Sequence, residues 1–553
     1  MGFMNQRNSH LLFVTLLTLV GIFLHFYNLN WGAPWYFHPD ERNIASAVSQ
    51  LQFPSQMNPH FFAYGSLPIY TIFFTGLLTH FFVQPQIRFD EAIIISRAYS
   101  AFFATLLIPM LYFLGKRLKD ETTGLFTAVL GTFSVGMIQF SHYGTFELWL
   151  TFFSVCLFWA CLQLLNHGKF LFLLLAALVF GVLVAIKVSS LALLPLPILA
   201  IAWQHRTKNQ TTPARMTSFW GRTKTGLQNL SIILGKYLFF VFIAILVYVP
   251  TNPFVLLVPK DFVSSMQYES SVGLGTLPVF YTGGFFDTIP VVYQFLHVYP
   301  FLLNPLITIL FVLSFFSLSY HAIKTRKSSY ILLTTFYLIL FLSQAVLFVK
   351  WTRYLMPTLP FIFLLVALSL THLLQRYKTM ITTTVNLLVL LTAVFAISYF
   401  KTVYLNPDSR LAALAFAKAN MPPNAYILSE PYDLGITPFQ GSFPGIEWFN
   451  FYELDNHSLD ATEGSLRQYL AKDNYIILPS QRVLQTRMQN AQQFSKAHLF
   501  YQQLFNGALG YKKIYETPCD IFCQITYLGD PIYWWEQTAS VFDHPTVFIF
   551  KKI

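Results

Sequence analysis

The stretch Trp31-Gly-Ala-Pro-Trp-Tyr-Phe-His-Pro-Asp-Glu41 follows directly on an apolar run, residues 11–29. Its adjacent carboxylates, Asp40 and Glu41, stand where that run would leave a bilayer, in a chain that otherwise avoids acids. Pro39 ahead of two acids reads as a helix start, because Pro suits the first position and acids suit the positive end of the helix dipole. Successive helical residues project about 100° apart. The two carboxylates therefore cannot hold one reacting atom and should have different roles. The stretch reads as an active-site loop, with a membrane cavity beneath it and a soluble cap over it.

The rest of the chain supplies the membrane. Of 553 residues 55% are hydrophobic, 18% aromatic and only 11% charged, and 59 are Phe. Several apolar runs reach about 18 residues, enough to cross a bilayer, which predicts a polytopic helical membrane protein. Residues 1–399 carry 23 Lys and Arg against 10 Asp and Glu, and residues 400–553 carry 12 against 14. The basic excess thus belongs to the membrane part and suits cytoplasmic loops facing anionic lipid, so it is not read as nucleic-acid binding. No small-residue cleavage pattern follows residues 11–29, which read as a retained span rather than a removed signal peptide.

Charge also orders the spans. The run 97–115 ends in Lys116-Arg117-Leu-Lys119, a cytoplasmic signature that places Arg97 outside together with Asp40. An even number of crossings must separate them, and zero is simplest. The apolar segment 61–83 then lies along the interface or is re-entrant, within a first outer loop of 30–96. Further spans are expected at 122–140, 147–165, 169–187, 188–203, 234–250, 299–320, 330–348, 354–373 and 380–399. That gives 11 crossings, with the N-terminus cytoplasmic and residues 400–553 outside. On this topology 16 of the 23 basic residues face the cytoplasm and 8 of the 10 acids face out, as the positive-inside rule requires. The loop 204–236 carries Arg206, Lys208, Arg215, Arg222, Lys224 and Lys236 with no acid.

Residues 400–553 alternate helix-like stretches (Ser409–Asn420, Ser465–Lys472) with strand-like ones (Tyr426–Ser429, Tyr475–Pro479, Val547–Phe550), which predicts one α/β domain. Four cysteines are too few for a disulfide scaffold. Cys156 and Cys161 read as packing residues. Cys519 and Cys523 either pair or stay free, depending on the compartment.

Four further groups carry chemistry. Glu147, in His142-Tyr-Gly-Thr-Phe-Glu147, is the only acid between residues 122 and 260, and an isolated carboxylate at a span boundary is a functional candidate. Arg97 gains little from topology and is expected to pair with Asp40 or Glu41. Lys187 ends an apolar run. Lys350-Trp-Thr-Arg353-Tyr354 puts two cations at the outer headgroup level against the charge trend, a point charge and a planar fork that together suit a phosphate. Metal spacing is weak: Asp40, Glu147, His142 and His297 would have to converge from afar to hold a divalent ion. There is no Walker loop and no dinucleotide fingerprint.

Together these residues resemble the membrane glycosyltransferases of the C-type fold, above all the dolichyl-phosphate-mannose protein mannosyltransferases and the bacterial lipid A aminoarabinose transferases. The likeness lies in the aromatic-Pro-Asp-Glu loop after span 1 and in Ser96-Arg97-Ala-Tyr-Ser-Ala-Phe running to Gly115-Lys-Arg117. It continues in Thr251-Asn-Pro-Phe254 with Asp261-Phe262, in Arg353-Tyr354-Leu-Met-Pro357, and in the tail's Tyr475-Ile-Ile-Leu-Pro-Ser480 and Val541-Phe-Asp-His-Pro545. Glu147 falls where the family usually carries Asp. The resemblance implies a polyprenyl-phosphate sugar donor and an inverting, single-displacement transfer to a protein, lipid A or glycan acceptor at the outer face of a bacterial inner membrane. It assigns Asp40 as general base, Glu41 and Arg97 to hold the loop or contact the acceptor, and Glu147 to position acceptor or metal. Lys350, Arg353, Tyr354 and Lys187 would bind the donor phosphate. Two other readings are a transporter or flippase of lipid-linked sugars and a non-catalytic membrane anchor. The first is disfavoured because no internal repeat is seen; the second leaves the charged groups unexplained.

Overall fold

The structure is a computed structural model and describes residues 6–81, 83–210, 219–277, 279–431, 434–455 and 460–553. Arg215 of the basic loop lies outside the described residues. The chain divides into two compact units. Unit 1 holds Met1–Leu29, Asp40–Gly275 and Leu302–Ala393, and unit 2 holds Asn30–Pro39, Thr276–Phe301 and Val394–Ile553.

Unit 1 is helical. It opens with α1 (Gln6–Phe26), α2 (Pro39–Ser49), α3 (Ser66–Thr79) and the long α4 (Phe89–Leu118), followed by α5 (Glu121–Thr132), α6 (Val135–Ser141), α7 (Glu147–His167) and α8 (Phe170–Ile186). It continues through α9 (Pro195–Gln210), α10 (Phe219–Thr251), the one-turn α11 (Phe254–Leu257) and α12 (Pro259–Leu274). After α13 (Tyr299–Leu303), which starts in unit 2, come α14 (Pro305–Thr325), α15 (Ser328–Ala345), α16 (Leu359–Arg376) and α17 (Lys378–Phe400), whose residues from Val394 on are counted in unit 2.

Among the described residues nine helices are long and apolar enough to cross a membrane, or ten if α5 and α6, bent by 52° at their junction, form one span. The expected eleven are reached only by adding α8, whose 17 residues extend about 25 Å, short of the ~30 Å hydrocarbon core. α3 has 14 residues and extends about 21 Å, shorter than the hydrocarbon core. The chain is thus a multi-pass helical membrane protein with a soluble α/β region at its C-terminal end.

In unit 2, α18 (Ser409–Asn420) matches the expected helix residue for residue. The strands are β1 (Tyr426–Ser429), β2 (Gly445–Trp448), β3 (Tyr475–Leu478), β4 (Tyr511–Glu516), the two-residue pair β5 (Thr526–Tyr527) and β6 (Asp530–Pro531), and β7 (Phe548–Lys552). Five of them form one sheet in the order β2-β1-β3-β7-β4, with β2, β1 and β3 parallel and β7 antiparallel to both its neighbours. Side chains alternate across a strand, so each buried strand feeds two cores. Ile476, Leu478, Phe548 and Phe550 pack with Phe451, Phe500 and Tyr501 on one face. Tyr475, Ile477 and Ile549 pack with Ala413, Ala417 and Phe439 on the other. Cys519 and Cys523 form a disulfide, whereas Cys156 and Cys161 stay free thiols, Cys161 fully buried.

A candidate active site in unit 1

The helix start expected at Pro39 is α2, with Asp40 and Glu41 in its first turn. The two carboxylates part company there. Arg97, from α4, clamps Glu41 with Nη2 on Oε1 and with Nε on Oε2 at 2.9 Å. Both side chains are completely buried. The remaining hydrogen-bonding groups are also used: Glu41 Oε2 accepts from the Gly144 amide (3.0 Å), and Arg97 Nη1 donates to the Leu29 carbonyl (2.7 Å). Asp40 instead pairs with Arg353 Nη1, and these side chains keep 22% and 24% of their exposure.

Arg97's neighbours on α4 fix Glu147. Ser96 Oγ donates to the Gly144 carbonyl (2.8 Å), and Ser100 Oγ donates to that of Thr145 (3.0 Å). The loop ahead of α7 is thereby held, and Glu147 starts that helix, buried. Its Oε1 accepts from the Tyr64 hydroxyl at 3.3 Å, while its Oε2 is buried without a partner among the described residues. Burial, and then the charge of Glu147, raise the Tyr64 phenol above its usual range, which keeps it a proton donor.

Tyr64 reaches this place through Gly65. The Gly65 amide donates to the Ile186 carbonyl (2.8 Å), and a Cβ there would stand 1.9 Å from the Ala185 carbonyl oxygen. Asn252, in the Thr251-Asn-Pro-Phe254 motif, accepts from the Ser66 amide through its side-chain oxygen (2.6 Å) and anchors the start of α3. Lys187 follows immediately after α8, its ammonium 5.0 Å from the Tyr64 ring centre and 4.8 Å from that of Tyr354.

Glu147, Lys187, Arg353 and Tyr354 line one cavity with Ser189 and Gln344. Arg353 belongs to the 3-10 turn Thr352–Thr358 that runs into α16. Its guanidinium lies 4.6 Å from the Trp351 ring centre, and its Nε is buried without a partner among the described residues. A second cavity, about 300 Å³, is lined by His60, Phe61, Phe62, Asp261, Ser265 and Glu269. The Glu269 carboxylate lies within electrostatic reach of Arg353, Lys187 and Asp40.

The cavity thus gathers Glu147 with three of the four residues expected at a donor phosphate. Lys350 is not among its lining residues, and its Nζ donates to the Phe348 carbonyl at 2.8 Å. The four residues named as weak metal candidates do not assemble. Among the described residues no group of three or more His, Cys, Asp or Glu is placed to hold an ion. His142 lies with Nδ1 2.8 Å from the Ile138 carbonyl and Nε2 2.9 Å from that of Tyr27, so both ring nitrogens face backbone rather than a shared centre. His297, in unit 2, packs on Tyr293 and Trp535 (ring centres 4.4 and 4.6 Å). Asp40 and Glu147 each keep the polar contacts described above. The sequence pointed to neither Tyr64 nor Gly65, and it carried Ser96, Ser100 and Asn252 only as members of motifs, without a role. The pairing of Tyr64-Gly65 with Ser66 and Pro68 at a helix start was the signal available for the first two.

No family model matches the chain, and no curated protein matches it. Among solved structures it is similar to the Archaeoglobus fulgidus oligosaccharyltransferase in complex with Zn and sulfate, at 12% identity and a TM-score of 0.47, covering 98% of this chain and 88% of that one. It is similar as well to the archaeal oligosaccharyltransferase AglB from the same organism in complex with an inhibitory peptide and a dolichol-phosphate (13%, TM-score 0.47, 99% and 89% covered). A third similar structure is ArnT from Cupriavidus metallidurans bound to undecaprenyl phosphate (12%, TM-score 0.48, 87% and 94% covered).

Proposed function

We propose that this chain is an inverting glycosyltransferase of the C-type class, which moves a sugar from a polyprenyl-phosphate donor to an acceptor hydroxyl or amine at the outer face of a bacterial inner membrane. One observation carries the reading. Residues far apart in sequence meet around a single cavity, where a guanidinium Nε and a carboxylate Oε2 are both buried without partners among the described residues. Such groups are costly to leave unpaired, and a glycosyl phosphate offers what each lacks. Its phosphate oxygens accept from Arg353, and its hydroxyls donate.

In the transfer, a lone pair of the acceptor oxygen or nitrogen forms the bond to the anomeric carbon from the face opposite the phosphate. The bond from that carbon to the phosphate oxygen breaks, and its electron pair leaves with the polyprenyl phosphate. The charge gained by the leaving group falls against Arg353 and Lys187. The acceptor's proton passes to Asp40 as general base. A donor phosphate drawing on the same guanidinium competes with the Asp40–Arg353 pair and leaves the Asp40 carboxylate to face the acceptor. Glu41 and Arg97 hold the loop. The acceptor, a protein, lipid or glycan, approaches through the second cavity, beside Asp261 and Glu269.

The C-terminal region from residue 400 is assigned to the outside, with the N-terminus cytoplasmic. The basic loops support this sidedness, and a disulfide at Cys519–Cys523 suits an oxidising compartment. A panel of polyprenyl-phosphate sugars, given to wild type and Asp40→Asn, tests the reading. Release of polyprenyl phosphate that depends on Asp40 is the expected result. If no donor is consumed while lipid-linked sugar still crosses a vesicle bilayer, the chain is a transporter.

A further inference from the structure

We propose that the ends of α4, α14 and α16 and the start of α15 form a binding site for the headgroup of an anionic phospholipid of the inner leaflet. The choice of leaflet rests on the sidedness proposed above; the site itself does not. Three connections far apart in sequence meet here. Lys119 closes α4, and its Nζ donates to the Thr371 hydroxyl of α16 at 3.2 Å. His321, near the end of α14, has its ring centre 5.9 Å from that of His372 and 6.2 Å from that of Tyr330. Lys327 stands just ahead of α15, its ammonium 3.8 Å from the Tyr330 ring centre. Lys119, His321 and Lys327 all lie within electrostatic reach of His372, and Lys119 and Lys327 within reach of each other.

These cations are held by neutral groups. Lys116, three residues before Lys119, pairs with Glu121. Lys119 and Lys327 form no ion pair among the described residues; their partners are a hydroxyl and an aromatic face, the latter a cation–π contact. Asp120 is the acid beside Lys119, and its carboxylate accepts from the Thr123 amide (2.8 Å) and from Gln375 Nε2 (3.1 Å). Like charges gathered this way repel, and a phosphodiester set among them relieves the repulsion. Basic pockets between helix ends on the cytoplasmic side suit such headgroups. The surface beneath favours a lipid over a free phosphate. α14 exposes Ile309, Leu313, Phe316, Tyr320 and Ile323, spaced four and three residues apart and so on one helix face. That apolar stripe runs along the helix to the exposed Lys324 and offers an acyl chain a track that ends at the cations.

A titration that needs neither sugar donor nor acceptor tests the site. The full-length protein, purified in detergent, is titrated with phosphatidylglycerol and with phosphatidylcholine of the same chains. Phosphatidylglycerol should bind more tightly. Lys327→Gln should weaken it about fivefold, while Lys327→Arg, which keeps the charge, should bind as wild type does. Lys169→Gln removes an equal charge from another exposed position and should change nothing. Equal weakening by Lys169→Gln would reduce the site to a diffuse basic surface, and equal binding of the two lipids by wild type would overturn it outright. Millimolar inorganic phosphate should not displace the lipid; displacement would make the ligand a soluble phosphate and overturn the lipid assignment. The side is read separately, by labelling Lys327→Cys with a membrane-impermeant maleimide. Labelling in inside-out vesicles but not in intact spheroplasts is expected. Labelling in spheroplasts would overturn the proposed sidedness and the leaflet with it, whereas loss of lipid selectivity in detergent would overturn the site and leave the sidedness standing.

Discussion

Asp40 and Glu41 are adjacent in the chain and carry the same charge, yet they sit in opposite settings. Glu41 and Arg97 are sealed, with no side-chain exposure, and every oxygen and nitrogen described there meets a partner. Asp40 and Arg353 keep about a quarter of their exposure, and Arg353 retains a buried Nε without a partner among the described residues. A sealed, fully bonded pair has no capacity left for a ligand and is expensive to break. A half-open pair with a spare donor exchanges partners at low cost. The first setting is that of a joint between helices and the second that of a working site. Function and stability should therefore separate between two neighbouring residues.

The largest expected effect is on turnover. Asp40→Asn removes the base but keeps the shape, and transfer should fall about 10²- to 10⁴-fold, with the melting temperature of the purified protein nearly unchanged. Near-normal turnover in this variant would end the proposed mechanism.

The opposite pattern is expected next door. Glu41→Ala or Arg97→Ala leaves one buried charge alone, at a cost of about 3–5 kcal/mol, visible as poor yield and a lowered melting temperature. The double variant Glu41→Leu with Arg97→Met should be milder than either single change, because it leaves no charge behind. If the singles melt like wild type, the pair is not the joint described here.

Arg353→Lys probes the exchange itself. Charge is preserved, but the planar fork and its Nε are lost. The KM for the donor should rise about tenfold, with a smaller change in kcat, and acceptor KM should stay as it was. A fall in kcat alone would mean that Arg353 serves the base more than the phosphate.

The sequence made the frame readable because the frame is periodic. The helix at 409–420 and the strands starting at Tyr426 and Tyr475 stand where alternation and turn residues put them. The apolar runs of unit 1 are helices, although one expected span is bent between Thr132 and Val135 and another stops at 17 residues. The expectation that Arg97 would meet one of the two carboxylates followed from charge alone, but which of them it meets depends on how α2 is turned. Lys350 shows the limit more sharply. Three residues before Arg353 it would share a helix face, yet the helical turn begins at Thr352 and Trp351 is extended, and Lys350 is not among the residues that line the cavity with Arg353. Tyr64 with Glu147, and Ser66 with Asn252, join positions 83 and 186 residues apart, and nothing local in the sequence encodes such contacts.

A third acid, buried in unit 2, extends the comparison and gives the smallest effect. Asp473 is buried, and neither of its carboxylate oxygens has a partner among the described residues. Lys472 pairs with Glu447 instead. Burial, and then the charge of Glu447, push the Asp473 carboxyl up to about 7, while Lys472 and Lys552 pull the other way. An unfolded Asp titrates near ~4, so between that pH and 7 the folded state holds a proton that the unfolded state has lost. Stability contributed by this group is present at low pH, declines as pH rises through that window and is constant above it. The slope is at most ~1.4 kcal/mol per pH unit. Wild type should therefore melt lower at pH 8 than at pH 5, and Asp473→Asn, which cannot ionise, should lose less across the same interval. Superimposable curves for the two proteins would show that Asp473 is ionised without penalty, and that Lys472 and Lys552 do for it what Arg97 does for Glu41.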